Sequence, residues 1–441
     1  MTRKRIHSKD KIQIELKQET IFKWLIVLGS FIVYFIADGV SLSFGIFTRE
    51  FINYFNKADS QAVVFLTPAL IQALPLFLSP FVCYLIEKYS CRPIAFVGST
   101  LIVLSFILTR FLVNDLISLN LIMGFMTSCG LAMVYIPAYL IISFYFDKTR
   151  ALATGIAVSG SGLGLFVLSP LSEYLIDLYE WRDTCFLFGA ISSHLFISAC
   201  LFRSIKNGSS NKPSTNEMQI EEHSDKISTW NKFKHEFIKI YSTKTFLITN
   251  LSYFILAFTI IAPYNFLPIH IESNNLIDPS SLSISLIGIS TLVGQIIIGL
   301  LSDRYRSLNW LIYAICIILA GLATILIPFL KDIKLIYAYS VIFGFTTSVN
   351  YVLQSSLVIE ALGLANLTLG FGCLQLSQGF STLSGTVLLG WLKDNMDNYN
   401  MVFHISGSIM ILSGLILILW PFTKPKKAKR QHSNLNGNEI I

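Results

Sequence analysis

Residues Tyr145 to Gly164 read YFDKTRALATGIAVSGSGLG: an aromatic helix end, a short charged hinge of Asp147, Lys148 and Arg150, then a helix rich in small residues. Ala151, Gly155 and Ser159 recur at every fourth position, as do Gly160 and Gly164. Neighbouring helices can then approach without bulky side chains between them, which is how helices pack in a bilayer. A buried helix of a soluble protein also collects small residues, but it gives no reason for a charged hinge where an apolar run ends.

The rest of the chain agrees with a membrane setting. Of 441 residues 53% are hydrophobic and only 13% charged, and the mean hydropathy is +0.63, which argues against an ordinary soluble globule. Windows of about 20 apolar residues give twelve candidate spans. In the first half they lie near Trp24 to Phe47, Ala62 to Ile86, Pro93 to Thr109, Leu119 to Phe144, Ala151 to Leu171 and Thr184 to Phe202. In the second half they lie near Phe246 to Ile269, Leu282 to Leu301, Trp310 to Leu330, Leu335 to Ile359, Leu367 to Trp391 and Met401 to Phe422. The predicted fold class is therefore an all-α polytopic membrane protein of twelve transmembrane helices in two six-helix bundles.

Basic residues test this map independently, because cytoplasmic loops hold the excess of Lys and Arg. Placing both termini in the cytosol leaves only seven of the 33 basic residues on the outer side: Arg49, Lys57, Arg110, Arg182, Lys331, Lys334 and Lys393. The net charge of +7 is then mostly topology, with attraction to an anionic inner leaflet, and no sign of nucleic-acid binding. The run Lys424, Lys426, Lys427, Lys429 and Arg430 reads as a stop-transfer flank. The polar start of the chain lacks a short apolar core before a small-residue cleavage site, so the first span reads as an uncleaved signal anchor. Seven cysteines without paired spacing read as packing residues, and the sequons at Asn207, Asn250 and Asn366 fall in cytosolic or membrane positions.

Arg203 to Lys244 is polar, rich in Ser, Asn, Lys and Glu, and interrupts the hydrophobic pattern between six spans and six spans. The division is a cytosolic N-terminus (1–23), an N-terminal bundle (24–202), a flexible cytosolic linker (203–244), a C-terminal bundle (245–422) and a cytosolic basic tail (423–441). An internal repeat agrees, since Glu87-Lys88-Tyr89 and Asp303-Arg304-Tyr305 each follow the second span of their half.

The hinge segment resembles the signature linking the fourth and fifth helices of the monocarboxylate transporter family, within the major facilitator superfamily, approximately YFxKRRxLAxGxAxAGSxxG. Tyr145, Phe146, Lys148, Arg150, Leu152, Ala153, Gly155, Ala157, Gly160, Ser161 and Gly164 match it, while Thr149 and Ser159 depart. Pro263, Tyr264, Leu267 and Pro268 resemble the family's seventh-helix pattern. Ile287, Gly288, Gly294, Gly299, Asp303 and Arg304 resemble the eighth, with Gln295 where the family has Arg. GLANLTLGFGCLQLSQG, from Gly363 to Gly379, is similar to the start of the eleventh, with Gly370 and Cys373 departing, and Gly385, Gly390, Trp391 and Asp394 continue that match. The N-terminal D-G-G-W-G-W pattern survives only as Glu19, Phe22 and Trp24. The resemblance implies alternating access around a midplane site, with Lys88, Lys148, Arg150, Asp303 and Arg304 as the cytoplasmic gate and hinge. Interfacial anchoring is the alternative role for Lys88. It also implies an integral protein of the plasma membrane and, as in some members, a single-span accessory partner.

Ionisable residues inside a span are costly and mark function by default. Asp38 lies well inside the first span, on one helical stripe with Tyr34, Leu42 and Gly45. The alternative is an Asp capping a helix break before Gly39. In the family's proton-coupled lactate carriers a first-helix lysine and an eighth-helix Asp and Arg bind the carboxylate and its proton. The corresponding residues here are Leu42, Thr291 and Gln295. An anion beside an unpaired acid is unfavourable in a low-dielectric site, so lactate-type chemistry is not expected. Thr291 and Gln295 share a face one turn apart, and Asn265, Asn350 and Tyr351 add hydrogen-bonding capacity in the second half. Each amide has the alternative of a simple interhelical hydrogen bond, which is the preferred reading for Gln375. His194 and His404 read as packed donors.

No nucleophile–base triad, metal-ligand spacing or phosphate-cradling loop stands out in the sequence, so neither catalysis nor a cofactor is expected. The reading is a secondary carrier of a small organic solute (a monocarboxylate-like compound, an amino acid or another polar metabolite), facilitative or proton-coupled through Asp38. The rival class is a non-transporting receptor or scaffold that keeps the fold. The topology is directly testable: an epitope placed in the 203–244 linker should bind antibody only after cells are permeabilised, and labelling of intact cells would reverse the map.

Overall fold

The computed structural model describes residues 2–55, 61–203, 237–274, 276, 282–396 and 399–423. Most of the predicted linker (204–236), the basic tail (424–441) and Lys57 lie outside the described residues. The described chain is built of helices. In the first half they are α1 (Thr2–Phe55), α2 (61–89, bent by 49° between Leu66–Phe77 and Ser79–Tyr89), α3 (Cys91–Leu112), α4 (Leu116–Tyr145) and the 52-residue Arg150–Leu201. In the second half they are α7 (244–273), α8 (Leu282–Arg304), α9 (Arg306–Phe329), α10 (Ile333–Leu362), α11 (Leu367–Met396) and α12 (399–423). Arg150–Leu201 is two limbs that part at Glu180, whose φ of 61° leaves the helical region; they are α5 (150–179) and α6 (181–201).

Neighbours show that the limbs run in opposite directions. Along α5, Gly160, Gly164 and Leu168 face Phe31, Phe35 and Gly39 of α1 in ascending order. Along α6, Trp181 packs on Phe51, Phe188 on Phe47, and Leu201 beside Gly29, in descending order. Nine described helices are long and apolar enough to cross a membrane, with the bent α2 as a tenth. Splitting Arg150–Leu201 at Glu180 and adding the 30-residue α11 gives the twelve helices of the major facilitator fold.

Irregularities follow from local chemistry. Pro80 sits just past the α2 bend, and Pro263 interrupts α7, where the helix gives way to turns between Ala257 and Ala262, because proline cannot donate to the ladder and crowds the preceding turn. α1, by contrast, runs through Asp38 and Gly39 unbroken, so Asp38 caps no helix end.

One face of the molecule gathers residue 203, residues 239–245, the α4–α5 hinge, the α8–α9 and α10–α11 turns and the end of α12. Tyr145 Oη donates to the Arg203 carbonyl at 2.7 Å, Asn309 Nδ2 to Glu360 at 3.1 Å, and Thr245 Oγ1 to the Thr423 carbonyl at 3.1 Å. This is the linker face. The opposite face carries the Arg110–Asp183 ion pair and Arg182, which donates to the Val113 carbonyl at 2.7 Å and lies over the rings of Tyr54 and Trp181.

The small residues of α5 serve two partners. Gly160 and Gly164 meet the backbone of α1 within the first half. Gly155 and Gly162 meet the carbonyls of Gln295 and Gly288 on α8, in the other half, and Gly299 of α8 in turn meets Ala151. A Cβ at Gly160 would collide with the Phe31 carbonyl, and one at Gly155 with the Gln295 carbonyl. The two substitutions should therefore fail differently. Gly160→Leu should cut the yield of monodisperse protein and lower its melting temperature, since overpacking costs about 1–3 kcal/mol or more where the obstacle is backbone. Gly155→Leu should fold yet lose flux. A Gly160→Leu protein with wild-type yield, melting temperature and flux would show that this face carries no packing constraint.

Candidate functional site

The site is built on the first and fourth helices of each half. In the first half α1 and α4 are pinned in register where Ser30 Oγ donates to the Ala138 carbonyl at 2.9 Å. This register sets Tyr34 and Asp38, one turn apart on α1, against Tyr135 and Tyr139, one turn apart on α4. Tyr135 Oη donates to Asp38 Oδ2 at 3.4 Å. The rings of Tyr34 and Tyr135 meet edge to face, centroids 4.7 Å apart at 73°. Tyr34 is buried, and its hydroxyl has no hydrogen-bond partner among the described residues.

From the second half come Tyr264 of α7 and Tyr351 of α10, and the field of the Asp38 carboxylate reaches both hydroxyls. The Tyr264 hydroxyl lies beside those of Thr291 and Thr347, and Thr291 Oγ1 donates to the Gly344 carbonyl at 3.2 Å. Thr291 thus stands behind Tyr264. Asp38 is partly exposed, while Leu42, a turn further along α1 (39%), Tyr351 (37%) and Asn265 are exposed. The geometry brings together a carboxylate, five phenols and an open wall.

Other expected residues lie elsewhere. Gln295 is fully buried and turns toward α5, its Nε2 donating to Ser161 Oγ at 3.4 Å, with Oε1 unpartnered among the described residues. Asn350 faces the interior of the second half, its Oδ1 accepting from Tyr313 at 3.5 Å and its carbonyl from Tyr253 at 3.4 Å. Gln375 accepts from Gln354 at 3.1 Å, an interhelical bond as read from the sequence. Tyr135 and Tyr139 are absent from the residues expected at the site, and Tyr264 enters the sequence analysis only as a motif position. The available signal was two tyrosines spaced by four in mid-span around Pro137, since a phenol far from the interface needs a partner.

At the linker face, Asp303 at the end of α8 accepts from the backbone N–H of Ala151 at 3.1 Å and of Leu152 at 2.8 Å. A carboxylate of one half thereby caps the first turn of a helix in the other, where unpaired N–H groups and the helix dipole favour negative charge. Arg306, absent from the expected gate, donates to the Asp147 carbonyl. Arg150 folds back on its own hinge, Nε donating to the Phe146 carbonyl at 3.1 Å and Nη2 meeting Asp147 at 3.4 Å. Lys148 is exposed, and Lys88 and Arg304 each lie over the ring of the tyrosine that follows, at 5.1 and 5.8 Å.

Known proteins share this architecture. The sequence profile of the Major Facilitator Superfamily matches residues 26–311 and 249–437. Monocarboxylate transporter 12 of Xenopus laevis is 27% identical over 430 residues, covering 95% of this chain and 92% of its own. Monocarboxylate transporter 13 of Rattus norvegicus is 28% identical over 403 residues, covering 90% and 89%. Among solved structures, the human organic anion transporter MFSD10 (TETRAN) superposes with a TM-score of 0.71 at 12% identity, over 90% of this chain and 99% of that one. The chain belongs to the Major Facilitator Superfamily, as a monocarboxylate transporter-like member.

Proposed function

We propose that this secondary transporter of a small organic solute takes a neutral or zwitterionic guest at Asp38, and couples its passage to protons through the same carboxylate. The observation that carries the reading is the company Asp38 keeps: its described hydrogen-bond partner is a phenol at 3.4 Å, and the ion pairs among the described residues join other groups. At the position of the family's first-helix lysine stands Leu42, and Gln295, at the position of its arginine, is sealed against Ser161. A carboxylate guest would meet a like charge that no cation among the described residues pairs with, which is costly in a low dielectric. An ammonium group or a proton would meet a ready partner. Tyr34, Tyr264, Tyr351 and Asn265 supply polar contacts around that centre, with Thr291 backing Tyr264.

In this reading the halves rock about the solute. Asp303 and Arg306 hold the α4–α5 hinge on the linker side, with Lys148 and Arg150 as its charges, and that side is cytosolic in the plasma membrane. The Asp303 cap must let go for the linker side to open, so the bond pair is remade once per cycle.

The test is a thermal-shift screen followed by proteoliposome uptake. Amino acids and neutral polyols should include the stabilising ligand, because a ligand stabilises the state it binds, while lactate and pyruvate should shift the melting temperature little and enter slowly. With Asp38 as the proton carrier, uptake depends on pH. Asp38→Asn, fixed in a neutral form, should then exchange solute at a rate flat with pH. One shared pH profile for wild type and variant would remove the proton role, and robust proton-driven lactate uptake by wild type would overturn the site reading.

A further inference from the structure

We infer that Tyr139 is a positioning residue that ties assembly of the Asp38 site to closure of the linker side. This inference rests on the rocking of the two halves proposed above. From α4 the phenol crosses into the other half and enters α10, where its Oη donates to the Tyr351 carbonyl at 2.9 Å and accepts from the Ser355 N–H at 2.9 Å. Residues 351 and 355 are the two ends of one helical i to i−4 hydrogen bond. A side chain of the first half therefore meets both backbone groups of one rung of a helix in the second, within the continuous stretch Val349–Leu362. The ring is aimed by stacking on Phe371 of α11, centroids 4.6 Å apart at 19°, and the residue is buried.

Two consequences follow. Holding the backbone at Tyr351 holds its phenol within the field of Asp38 on the opposite half, so the composite site exists as long as Tyr139 is docked. Undocking also strands no backbone group, because the Ser355 N–H and the Tyr351 carbonyl are each other's helical partners. A contact that breaks without leaving buried orphans suits a bond remade in every cycle.

Native cysteines at the same depth report on it. Tyr139 lies six residues from the linker end of α4, and Cys83 and Cys373 lie six from the linker ends of α2 and α11, each about 9 Å deep by helical rise. Both thiols are free and buried at the seam between the halves, where a Cβ at Gly372 would sit 3.1 Å from Cys83 Sγ. Cys185 is buried within the first half and Cys200 is exposed, so they report unfolding and reagent access.

The experiment treats the full chain in lipid nanodiscs with N-ethylmaleimide, with no added solute, and reads each cysteine by mass spectrometry. Tyr139→Phe keeps the ring and loses both bonds. It should speed labelling of Cys83 and Cys373 about three- to tenfold, the ratio given by the net worth of one hydrogen bond, with Cys185 unchanged. Tyr339→Phe, the same chemical change at a buried phenol of α10 whose hydrogen bond to Thr324 stays within the second half, should leave those rates at the wild-type value. Slow wild-type labelling with Tyr139→Phe no faster overturns the inference and leaves rocking intact. Unreactive Cys83 and Cys373 in both proteins, while Cys200 reacts fully, overturns both. If Tyr139→Phe exposes Cys185, Phe371→Leu, which removes the stack that aims the phenol, takes its place under the same two outcomes.

Discussion

The backbone-to-backbone approach of α5 is the constraint on which the rest of the structure depends. In a bilayer, helices gain little from burying apolar surface against one another, because lipid is as apolar as leucine, and association falls to close packing and interhelical hydrogen bonds. α5 meets α1 at Gly160 and Gly164 and α8 at Gly155 and Gly162, so one helix belongs to both halves at carbonyl distance. Bulk on the first face would disturb a bundle, and bulk on the second would disturb the relation between bundles. Small residues there serve to keep the seam thin enough for short side chains such as Ser161 and Asp303 to reach across it.

That thin seam is joined unevenly. The hydrogen bonds described between the halves run from mid-depth, where Gln295 meets Ser161, through the Tyr139 layer, to Asp303 and Arg306 at the linker face. The polar contacts described at the opposite face, the Arg110–Asp183 pair and Arg182 on Val113, stay within the first half. Leu42, Tyr351 and Asn265 are exposed. The structure is thus a state closed on the linker side, and the groups that close it are backbone amides and carbonyls met by single side chains. Each is replaceable by water when the halves part, so the closed state is held by several modest bonds rather than by a buried ion pair, whose rupture would leave a costly charge.

How much of this could be read from sequence depended on which signal each feature leaves. Span positions, the two-bundle division and the small faces of α5 follow from length, hydropathy and spacing, and the structure has helices at each. Asp303 enters through the family resemblance, as part of the triplet that follows the second span of its half, and its reach to the α5 amides is a matter of tertiary geometry. Side-chain direction was not legible. A span apolar on every side carries no moment to separate its lipid face from its core face, so nothing in the spacing of Thr291 and Gln295 says that the first backs Tyr264 while the second meets Ser161. Asn350 and Tyr351 are adjacent, yet one looks into the second half and the other toward Asp38. Tyr135 and Tyr139 escape a hydropathy window, in which phenols count as apolar, although their hydroxyls do the joining.

The distribution of charge then bears on selectivity. At the opposite face Arg110 and Arg182 are matched with an acid, a carbonyl and rings, and Asp303 is matched with two amides. Asp38 is partnered at 3.4 Å by a phenol, a donor that gives one hydrogen bond and no charge, and leaves lone pairs of the carboxylate open. A lysine one turn away would satisfy that carboxylate permanently and keep the pair for anions; leucine at position 42 does neither. A lone acid among tyrosines can hold a proton, a cationic group, or neither, and the differences among those states are large enough in a low dielectric to bias which arrangement of the halves is stable. Because Tyr264 and Tyr351 approach from the second half, whatever occupies Asp38 also acts on the seam, and the site and the gate are joined through the same short set of phenols.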